Sequence, residues 1–150
     1  MNTNSTGGLW GRSQSIWRSL RSLPLWVQVW VVGILVPVNA AAFFLLDTAA
    51  GFATAWAAVF VVATNMPIMY WYGGMNRAMS IPHLMAWGPL QVWLVLRLIE
   101  ADAPVGIELF YIWLLLLVNG VSLVFDLIDS WRWFKGERET PGVDDIKASS

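Results

Sequence analysis

Four stretches of this chain carry no charged side chain: residues 22–46, 48–76, 78–96 and 109–125. A helix needs about 20 mostly apolar residues to cross the hydrocarbon core of a bilayer. In hydrocarbon, only helices and closed barrels satisfy every backbone amide and carbonyl internally. The pattern therefore predicts an all-α integral membrane protein. Composition agrees, since 57% of the residues are hydrophobic and 13% are charged, against about 25% charged in a soluble domain.

Length and chemistry narrow the classes further. A chain of 150 residues holds one domain. A net charge of −1 supplies no basic face for nucleic acid. With no cysteine, disulfides, thiolate metal sites, iron–sulfur clusters and cysteine nucleophiles are excluded. Methionines 66, 69, 75, 79 and 85 cluster around one turn and read as adaptable packing, so no metal or other cofactor is expected.

The basic residues set an orientation. Of nine Lys and Arg, only Arg97 falls at the end opposite the others. Arg12, Arg18 and Arg21 precede the first span, Arg77 lies between the second and third, and Arg132, Lys135, Arg138 and Lys147 follow the fourth. The positive-inside rule makes their side cytoplasmic, with both termini inside and an even number of spans. Trp10, Trp17, Trp26, Trp71, Trp131 and Trp133 fall near the same interface, where amphipathic rings prefer to sit. A signal-peptide reading of the first span, with cleavage near Ala40-Ala41-Ala42, is disfavoured because Phe43-Phe44-Leu45-Leu46 continue the apolar run. The default location is a bacterial inner (cytoplasmic) membrane.

The expected organisation is a disordered N-terminus over 1–9 and an interfacial amphipathic helix over 10–23. A transmembrane domain over 24–130 follows, with spans at about 25–46, 52–72, 82–99 and 107–128. Residues 131–150 are a juxtamembrane segment and disordered tail. Short connections force sequential helices to be antiparallel neighbours. The fold class is thus an up-down-up-down four-helix transmembrane bundle. Pro37, Pro67 and Gly88-Pro89 are expected to interrupt three of the spans. Val38-Asn39-Ala40 and Val118-Asn119-Gly120 are alike, but three residues are too few to establish a repeat.

Polar residues at membrane depth carry the functional evidence. In span four, Asn119, Ser122, Asp126 and Asp129 recur at +3, +4 and +3 and share one narrow helix face. A lipid-facing stripe of this kind is costly, so it should face other helices. One reading makes Asn119 and Ser122 helix–helix glue, with Asp126 and Asp129 paired to Arg77 or Arg132 at the inner boundary. The other makes the stripe a polar pathway with Asp126 as its ligand. Gln28 and Asn39 in span one, Thr54, Asn65 and Tyr72 in span two, and Gln91 in span three admit the same two readings. Span three also holds the single histidine, four residues before a tryptophan in Pro82-His83-Leu84-Met85-Ala86-Trp87. This spacing resembles the His-x-x-x-Trp element of influenza-type proton channels, and the resemblance, which covers five residues, implies proton sensing by His83 and gating by Trp87. Its rival is an interfacial hydrogen-bonding histidine.

No Ser/His/Asp set, His-Glu-x-x-His or Gly-rich phosphate loop is present, so an enzyme is not expected. The leading expectation is an oligomeric channel- or transporter-type unit. Asn39, Asn65, His83, Gln91, Asn119, Ser122, Asp126 and Asp129 would line its path for a small ion or solute. The alternative is a non-catalytic accessory or assembly subunit of a larger membrane complex. Either requires a bilayer and a homo-oligomer or partner. The direction of the stripes separates them: toward a hydrated cavity for transport, toward one another for the accessory role.

Overall fold

Prolines, a capping threonine and glycines at positive φ mark several of the helix ends in this protein. The structure, a computed structural model, describes residues 9–144. Five helices make it up: α1 (Leu9–Ser22), α2 (Leu25–Phe44), α3 (Ala49–Tyr72), α4 (Ser80–Arg97) and α5 (Gly106–Phe134). Among the described residues there is no strand. Expectations for residues 1–8 and 145–150 lie outside the described residues.

Pro24 ends α1, because a proline cannot continue a helix, and then caps α2. Inside α2 the stretch Val29–Leu35 is π-helical and stands directly before Pro37. Pro37 lacks the N–H that would close a turn on Gly33, and the widened turn absorbs the missing bond. The helix then tightens to a 3-10 turn over Ala41–Phe44. Pro67 and Pro89 behave differently from expectation: α3 and α4 run through them without a break. One lost hydrogen bond is tolerated where neighbouring turns hold the backbone.

The start of α3 is capped twice. Thr48 Oγ1 accepts from Gly51 N at 3.0 Å, and the Glu108 carboxylate accepts from Ala50 N at 3.0 Å. Two of the four orphan donors of the helix are thus satisfied, one of them by a negative charge at the positive end of the dipole. The turn into α3 is tight enough that a Cβ on Gly51 would sit 1.9 Å from the Leu45 carbonyl oxygen. The other end of α3 closes on Gly73 (φ 72°), with Gly74 N bonded back to Met69 O at 3.0 Å. Gly136 (φ 100°) ends α5 the same way, with Glu137 N on Arg132 O at 3.1 Å.

Three helices, α2, α3 and α5, are long and apolar enough to cross a membrane. The fourth expected span, α4, has 18 residues but carries His83, Gln91, two prolines and Arg97. Side-chain contacts give the directions. Along α4, Ser80, His83 and Gln91 meet Ser130, Asp126 and Leu115 of α5 in descending order, so the two helices are antiparallel. Trp26 and Asn39 of α2 likewise meet Phe125 and Asn119 of α5. The core between the helices holds Leu35, Trp87, Leu94, Ile112 and Leu115, with small residues Ala42, Ala50 and Ala55 where α2 and α3 approach. Most of the apolar surface points the other way. Only 17%, 22% and 33% of the most apolar windows of α2, α3 and α5 are buried within the protein, and Phe44 and Trp71 are 88% and 82% exposed. That distribution suits a chain whose outer surface meets hydrocarbon.

At the end that carries Gly73, three segments meet. Ser15 of α1 donates to the Gly73 carbonyl, and Ser19 Oγ accepts from Met75 N at 2.9 Å. Asn76 donates to Arg138 O at 2.8 Å and to Thr140 Oγ1 at 3.2 Å. Within the segment 131–150, expected to be a juxtamembrane segment and disordered tail, Thr140 is buried against the turn that precedes α4. A loop asparagine supplies the order, which composition of the tail does not reveal.

Candidate functional site

The polar stripe of α5 is buried from Asn119 to Asp126, while the Asp129 side chain is 44% exposed. Asn119, Ser122, Asp126 and Ser130 all face the other helices, and Tyr111 extends the same face toward the start of α5. Each level of this ladder has its own partner. Tyr111 donates through its hydroxyl to Val38 O at 3.0 Å. Asn119 and Asn39 form a reciprocal carboxamide pair at 2.8 and 3.0 Å, and Asn39 Nδ2 also donates to Leu35 O at 2.9 Å. Gln91 donates to Leu115 O at 2.9 Å. Ser80 and Ser130 share a hydrogen bond of 2.7 Å.

Between these levels lies a three-helix polar cluster. His83, one turn into α4, has Nδ1 3.1 Å from Asp126 Oδ1 and Nε2 2.9 Å from Asn65 Nδ2. The side chains of His83 and Asp126 retain 17% and 12% exposure. Trp87 stacks on the imidazole with centroids 4.4 Å apart and planes within 10°. This is the i, i+4 geometry of one helix face, so the His-x-x-x-Trp spacing brings the two rings into contact. Asn65 Oδ1, Asp126 Oδ2 and Trp87 Nε1 are buried without a hydrogen-bond partner among the described residues. A buried acceptor without a donor is costly, so Asn65 Oδ1 and Asp126 Oδ2 are held here at a cost in stability.

The charges at the end of the helices that carries Gly73 sort themselves one level further out. Arg77 Nε meets Asp129 at 3.3 Å and its Nη2 approaches Glu137 at 3.9 Å. Arg132 meets Glu137 at 2.6 Å. Pairing of Asp126 with Arg77 or Arg132 is thus corrected: Asp126 lies a turn deeper and takes His83, while the Gly136 turn folds Glu137 back onto Arg132. Asp129 does pair with Arg77, but not with Arg132. At the other end Arg97 holds Glu100 and Asp102 at 2.6 and 3.0 Å. The guanidinium hydrogen bond keeps the Asp102 carboxyl below the usual carboxylate range, and Arg132 does the same for Glu137.

All eight stripe residues are therefore placed, and six of them join two clusters or bond the backbone across helices. Ser122 is buried on the same face between Asn119 and Asp126. Sequence reasoning missed the Ser80–Ser130 pair, Tyr111 and Glu108. Ser130 continues the stripe at +4 from Asp126, so the period contained that signal. Among the described residues no three His, Asp or Glu side chains come together as a metal-ligand set. An open apolar groove of about 600 Å³ lies along α2, lined by Leu25, Trp26, Val29, Trp30 and Ile34, away from the stripe. Comparison of the chain with protein-family models, with curated proteins and with solved structures returns no match.

Proposed function

We propose that this chain is a small multi-pass membrane protein acting as a non-catalytic accessory or assembly subunit of a larger membrane complex. α2, α3, α4 and α5 form its antiparallel four-helix transmembrane bundle. The basic residues on one side favour an inner (cytoplasmic) membrane with both termini in the cytoplasm. The observation that carries this reading is the mutual pairing of the deep polar groups. Asn39 with Asn119, Ser80 with Ser130 and Gln91 with the α5 backbone bond one another instead of lining an open path. Such interhelical bonds hold a membrane fold together. Around them, Trp56, Trp71, Trp113 and Phe110 present a broad aromatic exterior to lipid or to another subunit.

Purification in mild detergent with native mass spectrometry tests it. The reading expects a stoichiometric partner or a defined homo-oligomer. A monodisperse monomer that carries ion or solute flux in liposomes would reject it.

One observation favours a second reading, in which an oligomer of the chain moves a small ion. Asn65, His83 and Asp126 place titratable and orphaned polar atoms at the junction of three helices. Flux assays in proteoliposomes, with and without a pH gradient, decide between the two.

A further inference from the structure

The imidazole of His83 is bonded on both sides, by partners of opposite character. When ionised, the Asp126 carboxylate on Nδ1 only accepts, whereas the Asn65 amide nitrogen on Nε2 only donates. The neutral ring is therefore held with its proton on Nδ1, donating to Asp126, while Nε2 accepts from Asn65. A proton arriving at Nε2 would face the Asn65 N–H, donor against donor. The remedy lies in the same side chain. Asn65 Oδ1 is buried with no donor among the described residues, and a half-turn of the carboxamide exchanges nitrogen for oxygen in nearly the same shape.

We propose that Asn65, His83 and Asp126 form a binding site for a single proton, taken up at Nε2 of His83 and registered by a half-turn of the Asn65 carboxamide. The balance is simple. A proton from water adds to the Nε2 lone pair, the Asn65 N–H to Nε2 hydrogen bond breaks, and Nε2–H donates to Oδ1 in its place. The cluster passes from a net charge of −1, with a neutral ring and a carboxylate, to zero. Trp87 lies face to face with the imidazole at 4.4 Å, so its π-face attracts the charged ring.

The surroundings contain few other charges. α5 offers Asp126 and, a turn on, Asp129, which Arg77 already holds. α3 offers only the uncharged Asn65, and α4 carries no other titratable side chain before Arg97. Because Asn65 is on α3 and Asp126 on α5, loading changes the bonds that tie three helices together. The site stands whether the chain is a subunit or a carrier, and its failure leaves both of those readings untouched.

His83 is the chain's single histidine, so selective nitrogen-15 labelling gives one imidazole spectrum by NMR. The full chain, purified through a histidine-free tag and placed in lipid bilayers, is titrated from alkaline to acid. The expected result is a neutral ring protonated on Nδ1 and bare on Nε2, then protonation of Nε2 as pH falls. The Asn65 side-chain amide resonance, assigned by its loss in Asn65→Leu, moves in the same titration. A neutral ring carrying its proton on Nε2, a ring that never titrates, or an Asn65 resonance that stays still throughout would each overturn the proposal. The tautomer is read on the unsubstituted chain, so the test survives a variant that fails to fold.

Discussion

Replacing Asn119 by leucine removes both hydrogen bonds of the reciprocal pair that joins α2 to α5. The two bonds, 2.8 and 3.0 Å long, lie where Asn119 is fully buried and Asn39 nearly so. An interhelical hydrogen bond in a membrane protein is worth about 0.6 to 1.7 kcal/mol, so the pair contributes on the order of 1–3 kcal/mol. The variant also strands Asn39 Oδ1 without its donor, while Asn39 Nδ2 keeps Leu35 O. A buried orphan acceptor costs roughly 1–3 kcal/mol. Because the lost bond and the orphan overlap, Asn119→Leu is expected to destabilise by about 2–4 kcal/mol. The double variant Asn39→Leu with Asn119→Leu removes the orphan too and is expected to recover most of that loss. Unfolding by SDS from dodecylmaltoside micelles, followed by circular dichroism, measures both. A single variant within about 0.5 kcal/mol of the parent, or additive effects in the double-mutant cycle, would refute the reasoning.

Three other outcomes are expected from the same packing. Gly51→Ala puts a methyl 1.9 Å from the Leu45 carbonyl and should destabilise by roughly 1–3 kcal/mol, whereas Gly120→Ala, with nothing within 4 Å, should be neutral or gain up to about 1 kcal/mol in the same assay. Asn76→Ala should release the segment around Thr140, seen as faster hydrogen exchange and protease cleavage across 138–144 with the helices still protected. The Asp102 and Glu137 carboxyls are held low by Arg97 and Arg132; a depressed acid stabilises above its unfolded value and loses that contribution as pH falls through its folded value. Thermal stability should therefore decline in the acid range below the usual carboxylate value, and Asp102→Asn combined with Glu137→Gln should flatten that decline.

Much of the architecture was legible because hydrocarbon leaves strong marks on a sequence. The charge-free runs lie within about four residues of the ends of α2 and α3, whereas α5 runs on past its charge-free stretch to Phe134, and the spacing of Asn119, Ser122 and Asp126 marks the buried face of α5. The partners were not legible. Asn39 and Asn119 stand in look-alike tripeptides, yet nothing local says that the two carboxamides bond each other across eighty residues. Asp126 read as a partner of Arg77 or Arg132, and only packing shows that His83, rather than an arginine, answers it. The π-helical turn ahead of Pro37 was invisible because proline marks a missing bond without saying how the backbone absorbs it. The order around Thr140 depends on Asn76, which lies far away in sequence.

The central claim is that α4, polar as it is, crosses the membrane beside its three more apolar neighbours. The chain has no cysteine, so single cysteines report their own side of the bilayer. The account predicts that Asp47→Cys and Ala101→Cys react with an impermeant maleimide in intact cells, while Met75→Cys and Glu139→Cys react only after permeabilisation. Labelling of Ala101→Cys and Met75→Cys from the same side would contradict it.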